Sequence, residues 1–204
     1  MNPDSTNNNL PRNVLPGANP RKTQSIVELG AIDIGTVREH VDAIPEAMWD
    51  EQNGSKPNHF DVLGRTQHIV FRFIRDVHNW RDSASYPLWE QWRDVLQPVL
   101  DAATRPYGYT RFAYPRIMLA RMPPGSFIQP HRDMNRSARW PHKIHVPIRT
   151  NAQVGFFIDP TTYHLAEGQA YEVNNLGTHA VENGGVTART HLIFEYYDLD
   201  QPGA

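Results

Sequence analysis

Cysteine is absent from this chain of 204 residues. Its absence excludes disulfides, thiolate nucleophiles and metal sites with sulfur ligands, so a metal would have to be held by histidines and carboxylates. Lysine is scarce, and arginine supplies most of the positive charge. The 20 basic and 22 acidic residues nearly balance, which gives no electrostatic reason to expect a nucleic acid or an anionic membrane surface as partner.

Long apolar runs are also missing. No segment approaches the length of a bilayer span, and the first residues lack the apolar core of a secretion signal. We therefore expect a cytoplasmic protein without a membrane partner. The apolar content of 39%, with five Trp and eight Phe, is enough for one domain with a hydrophobic core.

Residues 1–25 are rich in Asn and Pro and contain few regularly spaced apolar residues. This composition is typical of a flexible leader. Residues 26–204 show no internal repeat and no second boundary, so we predict a single domain there.

Short patterns predict the first elements after this leader. Residues 26–29 (IVEL) favour a short strand. Thr36 and Glu39 have the spacing of a capping box, and the helix that they open would end at Pro45. Its apolar face would consist of Val37, Val41 and Ile44.

Residues 65–73 alternate in the manner of a half-exposed strand. One face would carry Ile69, Phe71 and Phe73, and the other His68, Val70 and Arg72. A helix follows, because Pro87 suits a first helical turn and an apolar stripe repeats at helical spacing from Leu88 to Ala103. Pro98 predicts a kink or a second helical start.

Beyond residue 110, short strand patterns alternate with turn signals such as Pro123-Pro124-Gly125 and Asn183-Gly184-Gly185. Many short strands at this spacing are typical of a β-sandwich or barrel. We therefore predict an α+β, mainly β fold in which the N-terminal helices pack on one sheet.

The segment His131-Arg132-Asp133 lies in this strand-rich part. On a strand, residues i and i+2 point to the same side, so His131 and Asp133 can face one cavity while Arg132 points away. Two histidines and one carboxylate form the facial triad that holds iron(II) and leaves coordination positions open. His179 is the natural third ligand because it would terminate a strand, and His164 is the alternative.

By itself this pattern is weak, and a hydrogen-bonded His–Asp pair in a surface loop is the competing interpretation. Six of the ten histidines, however, follow residue 130. Lys143 shares a strand face with His145, and Arg189 with His191, which would direct cationic and hydrogen-bonding groups inward near a metal. His142, on the opposite face, is expected at the surface.

Three segments carry a family resemblance: PPGSFIQPHRD, KIHVPIRTN and EGQAYEVNNLGTHAVENGGVTARTHLIFEYYD. Together they resemble the aspartyl/asparaginyl β-hydroxylase family, whose relatives include bacterial proline cis-4-hydroxylase, over roughly residues 115–198. The resemblance implies an iron(II)- and 2-oxoglutarate-dependent dioxygenase that uses O2 to hydroxylate an unactivated C–H bond. With the strand pattern it favours a double-stranded β-helix of the jelly-roll or cupin type, buttressed by the N-terminal helices.

The resemblance also implies roles for individual residues. The iron ligands are matched by His131, Asp133 and His179. Arg189 matches the residue that binds the distal carboxylate of 2-oxoglutarate, for which a planar guanidinium fork is suited. His145 matches a strand histidine that contacts the cosubstrate. Lys143 stands where the family has Arg, so it keeps the charge but loses the fork.

Asp133 separates this site from two kinds of relative. The animal aspartyl branch of the family lacks the acidic ligand, so this metal site looks more like that of the free-amino-acid hydroxylases. Halogenation needs that coordination position for a halide, so the retained carboxylate indicates hydroxylation.

The substrate implied by the resemblance is an amino acid, or a residue in a small peptide or natural product. Candidate substrate contacts are Arg65, His68 and Arg72, on or next to a strand that could border the cavity; solvent exposure is the competing interpretation. Arg116 and Arg121 are weaker candidates. The alternative function is a non-oxidative cupin that binds zinc, nickel or manganese on the same histidines and acts as an isomerase or small-molecule sensor.

Overall fold

The computed structural model of the protein describes residues 22–57, 63–133, 135–158 and 160–200. Residues 1–21 of the predicted leader lie outside these ranges. Residues 22–25 lie inside them, and the Lys22 side chain is buried there. No helix within the described ranges is long and apolar enough to cross a membrane.

The described residues form three α-helices and twelve strands, with short 3-10 helices such as Arg105–Tyr107 and Arg136–Ala138. The helices are Gly35–Asp42 (α1), Glu46–Gly54 (α2) and Trp89–Thr104 (α3). The strands are Ile26–Ala31 (β1), Gln67–Asp76 (β2), Asn79–Ser85 (β3), Phe112–Ala113 (β4), Ile117–Met122 (β5), Ser126–His131 (β6), His142–Arg149 (β7), Val154–Ile158 (β8), Thr161–Tyr163 (β9), Gln169–Val173 (β10), His179–Asn183 (β11) and Arg189–Asp198 (β12).

The strands make two antiparallel sheets. The larger has the order β1-β10-β7-β12-β5-β2-β3, with β4 paired to β12, and the smaller has the order β6-β11-β8-β9. The prediction of a mainly β fold with few helices is confirmed. The order of neighbours is not the order in the chain, so residues distant in sequence meet on the inner faces.

Apolar side chains bury both faces of the larger sheet. On one face, α1 and α3 pack against it through Val37, Trp92, Leu96, Leu100, Ile117, Ile144 and Leu192. Between the two sheets lies a second cluster, which contains Met122, Ile128, Phe156, Tyr171 and Val181. The helices thus buttress one sheet as predicted, and the smaller sheet faces its other side.

The N-terminal helical region differs from the prediction. Helix α1 starts at Gly35, so Thr36 lies inside its first turn and makes no capping hydrogen bond. Instead, the Asp33 carboxylate accepts a hydrogen bond from the Gly35 N–H at 2.9 Å. Helix α2 was not predicted, because its polar sequence buries a single side chain, Trp49.

Strand β2 is buried on both faces, not half-exposed. Its pairing with β5 shifts register between Val70 and Arg72. Such a bulge reverses the faces that follow it, and Phe73 accordingly packs with Val70 rather than with Phe71. The predicted assignment of Phe73 and Arg72 to faces is therefore wrong.

Helix α3 has the predicted apolar stripe, with Trp92, Leu96 and Leu100 buried. Pro98 lies within it, and the helix continues to Thr104 without a second start. Residues on the buried side hold this long helix against the sheet, which offsets the missing N–H of one proline.

Candidate functional site

Strands β6 and β11 bring three candidate metal ligands together. His131 ends β6, Asp133 follows it by two residues, and His179 begins β11 as the direct partner of His131 across the sheet. One ligand atom from each residue lies within 4.8 Å of the other two. His179 therefore starts a strand instead of ending one as predicted, and the predicted cluster is present.

Backbone carbonyls fix the orientation of both imidazoles. The Nδ1 of His131 lies 2.8 Å from the Gln129 carbonyl oxygen, and the Nδ1 of His179 lies 3.0 Å from that of Gly177. A carbonyl oxygen only accepts, so Nδ1 carries the hydrogen and donates in each ring. Both Nε2 atoms are then left with the lone pair that a metal requires.

Hydrogen bonds to one oxygen of the Asp133 carboxylate hold the side chain in place. Its Oδ2 accepts hydrogen bonds from the Lys143 ammonium at 2.9 Å and from the Asn175 amide at 3.2 Å. Burial alone would raise the pKa of Asp133, but the Lys143 ammonium holds it well below its usual range. Asp133 is therefore ionised, and Oδ1 lies 3.9 Å from Nε2 of His131.

A second layer of contacts supports Asp133. The Asn175 carbonyl oxygen accepts a hydrogen bond from the Asp133 N–H at 2.9 Å. The Asn175 side chain is fully buried and also donates to the Ala138 carbonyl. Lys22 donates to the Asn175 amide oxygen, and burial lowers the pKa of Lys22 to about 8. Lys22, which belongs to the predicted leader, thus contacts Asn175, and Asn175 in turn holds the candidate ligand Asp133.

Arg189, at the start of β12, is buried and has no carboxylate partner among the residues that the structure describes. Its Nη2 donates to Nδ1 of His191 at 2.5 Å, and its Nε has no hydrogen-bond partner in the described part of the chain. Burial lowers the pKa of Arg189 to about 9. Burial and this guanidinium also hold the pKa values of His145 and His191 well below the usual range, so both imidazoles are neutral.

These groups line one cavity of about 130 Å³ between the two sheets. Its polar lining comes from the candidate ligands together with Thr66, His68, Arg116, Asn135, Lys143, His145, Arg189 and Glu195. Apolar residues such as Phe73, Met118, Ile128, Phe156 and Ile193 form much of the remaining wall. The cavity therefore combines three candidate metal ligands and several buried charged groups with an otherwise apolar wall.

Residues 103–198 match the aspartyl/asparaginyl β-hydroxylase family. The resemblance expected from the sequence is thereby confirmed, and the matched segment contains the cluster, Lys143, His145 and Arg189. No curated protein matches the chain.

Several solved structures share the fold of this chain. A 2OG-Fe(II) oxygenase family oxidoreductase from Burkholderia pseudomallei is 17% identical, with a TM-score of 0.59, covering 88% of this chain and 86% of that one. A non-heme monooxygenase, ThoJ, in complex with nickel is 14% identical, with a TM-score of 0.53 and coverages of 87% and 75%. A Pseudomonas putida prolyl-4-hydroxylase is 14% identical, with a TM-score of 0.50 and coverages of 86% and 93%.

The other predicted site residues are distributed unevenly. His164, the alternative ligand, lies outside the cluster and its Nδ1 contacts the Val154 carbonyl oxygen at 3.2 Å. His68 lines the cavity. Arg65 is exposed, and Arg72 donates to Ser83 and Ser85 of β3, so neither lines it. The bulge after Val70 explains why Arg72 does not line the cavity, because Phe73 takes the position that faces it.

Sequence reasoning missed or undervalued three residues of the site. Asn175 lies in a turn, where no periodicity marks it. Arg116 shares a strand face with Met118, and Glu195 continues the alternation that begins at Arg189. Extending both alternations would have placed Arg116 and Glu195 on inward faces, but only the strand order shows that they meet.

His142 is buried, contrary to the prediction of a surface position. Its Nδ1 lies 2.7 Å from the Glu172 carboxylate, and its Nε2 lies 2.7 Å from the Tyr109 hydroxyl. Tyr107 donates to the same carboxylate at 2.8 Å. The face of β7 opposite the cavity is thus covered by a hydrogen-bonded aromatic cluster instead of water.

Proposed function

We propose that this chain is an iron(II)- and 2-oxoglutarate-dependent dioxygenase. It hydroxylates an unactivated C–H bond of an amino acid, or of a residue in a small peptide or natural product. One observation carries the proposal: a single cavity contains both the His131–Asp133–His179 cluster and the buried Arg189, which lacks a carboxylate partner among the described residues. The family match over residues 103–198 supports it.

The cluster fits iron(II). Two imidazole nitrogens and one carboxylate oxygen on one side of a metal leave positions open on the other. Hydrogen bonds to Nδ1 of each histidine and to Oδ2 of Asp133 fix which atom of each residue would bind. Such contacts behind the ligands typically contribute 10- to 100-fold to metal affinity.

Arg189 fits the distal carboxylate of 2-oxoglutarate. A buried guanidinium is costly without an anion, and a carboxylate can engage two of its N–H groups in parallel. His145 also lines the cavity and is neutral, so it offers a hydrogen bond to the cosubstrate without adding charge. When bound, iron(II) and 2-oxoglutarate would supply O2 activation, with decarboxylation of the cosubstrate to succinate.

Lys143 lines the same cavity, but its ammonium lies on Asp133. We assign it the task of keeping that carboxylate ionised and oriented. A single rotatable ammonium is sufficient for this contact, whereas a guanidinium fork would favour two parallel acceptors. This accounts for a lysine at a position where the family has arginine.

The strand order supports the double-stranded β-helix. Strands β6-β11-β8-β9 of the smaller sheet face β10-β7-β12-β5 of the larger one across the second core cluster. Two facing antiparallel sheets of four strands are the arrangement of a jelly roll. Strands β1, β2 and β3 then extend the larger sheet on both sides.

The test is succinate release by the iron-loaded protein during incubation with each of the twenty amino acids and 2-oxoglutarate in air. We expect at least one amino acid to raise release above the substrate-free rate. His131→Ala is expected to abolish the release, and His164→Ala, which changes a histidine outside the cluster, to retain it.

The non-oxidative cupin is the opposing outcome of the same test. Tight binding of zinc, nickel or manganese on the cluster, with no 2-oxoglutarate binding and no succinate from any amino acid or peptide, would contradict the proposal and favour an isomerase or sensor. Loss of activity in His164→Ala alone would contradict the assignment of the ligands.

A further inference from the structure

A buried ion pair lines the cavity far from Arg189. Glu195 is six residues beyond Arg189 on the extended strand β12, which places the two Cα atoms roughly 20 Å apart. The Arg116 guanidinium contacts the Glu195 carboxylate, and both residues line the cavity. Glu195 is also the cross-strand partner of Lys143, whose ammonium contacts Asp133. The pair is therefore next to the candidate ligands.

The local structure fixes this pair rigidly. Arg116 Nη2 donates to the Ser137 hydroxyl at 2.8 Å, and the Glu195 N–H donates to the Arg116 carbonyl oxygen at 2.9 Å. The Arg116 guanidinium lies over the Phe73 ring, 5.2 Å from its centre. A guanidinium has five N–H donors and a carboxylate accepts about four hydrogen bonds. Within the described ranges, the hydrogen bonds of the two side chains use only part of that capacity.

Structural stabilisation alone explains this position poorly. Desolvating two charges offsets much of their attraction, so a buried ion pair is weak evidence for stability. The pair of Arg121, on β5, and Glu46, on α2, shows the usual arrangement, because its glutamate is 76% exposed. Arg116 and Glu195 instead have side chains that are 9% and 3% exposed, beside an open cavity.

We propose that Arg116 and Glu195 recognise the α-carboxylate and the α-ammonium of a free amino acid. This inference rests on the proposed function and names the substrate class of its site. A lone arginine such as Arg189 suits an anion, whereas a fixed pair of opposite charges suits a zwitterion. A residue inside a peptide carries neither of these charges, so it would leave the pair without its ligand.

The lining beside the pair also selects the side chain of the substrate. Phe73, Met118 and Ile193 belong to one apolar cluster, line the same cavity as the pair, and offer no hydrogen bonds to a polar side chain. Placing a charged side chain there would desolvate it without a partner. The substrate is therefore a free amino acid with an apolar side chain, held with that side chain towards the cluster.

The test measures binding to the full-length protein under nitrogen, by titration calorimetry, with and without iron(II) and 2-oxoglutarate. The probes are the twenty amino acids, followed by the N-acetyl and carboxamide derivatives of those that bind. We expect apolar amino acids to bind, and each blocked derivative to bind at least tenfold more weakly. Equal affinity for free and doubly blocked forms would overturn the inference.

Variants locate the recognition on the pair. The double variant Arg116→Gln/Glu195→Gln removes both charges together, so neither is left buried alone. We expect it to bind 2-oxoglutarate as the wild type does, and to lose the preference for free over blocked amino acids. Arg121→Gln is the matched control, since Arg121 lies on the opposite face of β5, and it should keep the preference. A double variant that binds 2-oxoglutarate and keeps the preference overturns the inference.

Failure of the inference and failure of the proposed function give different results. Binding of iron(II) and 2-oxoglutarate without binding of any free amino acid would overturn the inference and leave the dioxygenase proposal standing. Selective binding of free amino acids, lost in the double variant, with no succinate release would support the inference and contradict the dioxygenase.

Discussion

The two ends of the cavity hold the same residue type in opposite settings. Arg189 is buried without a carboxylate among the described residues, whereas Arg116 is buried against Glu195. The first is a site of net positive charge that calls for an anion, and the second is neutral overall. This difference supports the proposal that the two ends bind different molecules, and Lys143 connects the Glu195 end to the candidate ligand Asp133.

The largest effect on ligand binding is expected from a change in the candidate metal cluster itself. Asp133→Ala should lower iron(II) affinity by more than the roughly 10- to 100-fold that contacts behind a ligand contribute, and should abolish turnover. The measurement is iron content after dialysis against a weak chelator. Wild-type iron retention in this variant would remove Asp133 from the metal site.

Arg189→Met should weaken binding at one end of the cavity and leave binding at the other end nearly unchanged. Losing a buried bidentate contact to a carboxylate is expected to raise the Kd for 2-oxoglutarate by about 100-fold, equivalent to about 3 kcal/mol. Calorimetric titration with 2-oxoglutarate measures this effect. Binding of the amino acid at the other end should change little, and an unchanged cosubstrate Kd would place the anion elsewhere.

Lys22→Met should produce a smaller effect through Asn175. The variant removes the hydrogen bond that holds the Asn175 amide, which in turn supports Asp133. We expect iron(II) affinity to fall by about tenfold, within the usual range for contacts behind a ligand. Competition with a chelator measures the change. Lys56→Met is the control, because Lys56 donates to the Thr66 carbonyl instead.

The smallest effect is a pH dependence of stability. Burial lowers the pKa of His68 to about 3, so this imidazole stays neutral in the folded protein but gains a proton near pH 6.5 when unfolded. The unfolded state therefore binds more protons between these values, and stability falls as the pH falls below about 6.5. The free energy of unfolding, measured by chemical denaturation at pH values from 7 to 5, should fall less steeply with pH in His68→Gln than in the wild type. An identical pH dependence would contradict a neutral, buried His68 in the folded protein.

Much of the candidate centre could be predicted because strand periodicity is local. The spacing of His131 and Asp133 places both on one side of a strand, and the same argument connects Arg189 with His191. The predicted strands after residue 110 were found for the same reason. His179 was chosen because it adjoins a predicted strand end, with His164 left as the alternative, since nothing local identifies its partner strand; the family resemblance supported that choice.

The rest depends on contacts between distant parts of the chain. Arg116 and Glu195 meet only because β5 and β12 are neighbours. Phe73 faces the cavity because of a bulge in β2, which the alternation of apolar and polar residues does not reveal. Asn175 and Lys22 are ordinary polar residues until the fold places them behind Asp133. Thr36 was misjudged because the helix began one residue earlier than its apparent cap.

Anaerobic absorption spectroscopy detects iron(II) and 2-oxoglutarate bound together at the cluster. Addition of iron(II) and then 2-oxoglutarate under nitrogen should produce a weak visible charge-transfer band in the wild type. The band should require a higher 2-oxoglutarate concentration in Arg189→Met and should be absent in His131→Ala. A wild-type protein that binds iron(II) but gives no band at saturating 2-oxoglutarate would contradict the account.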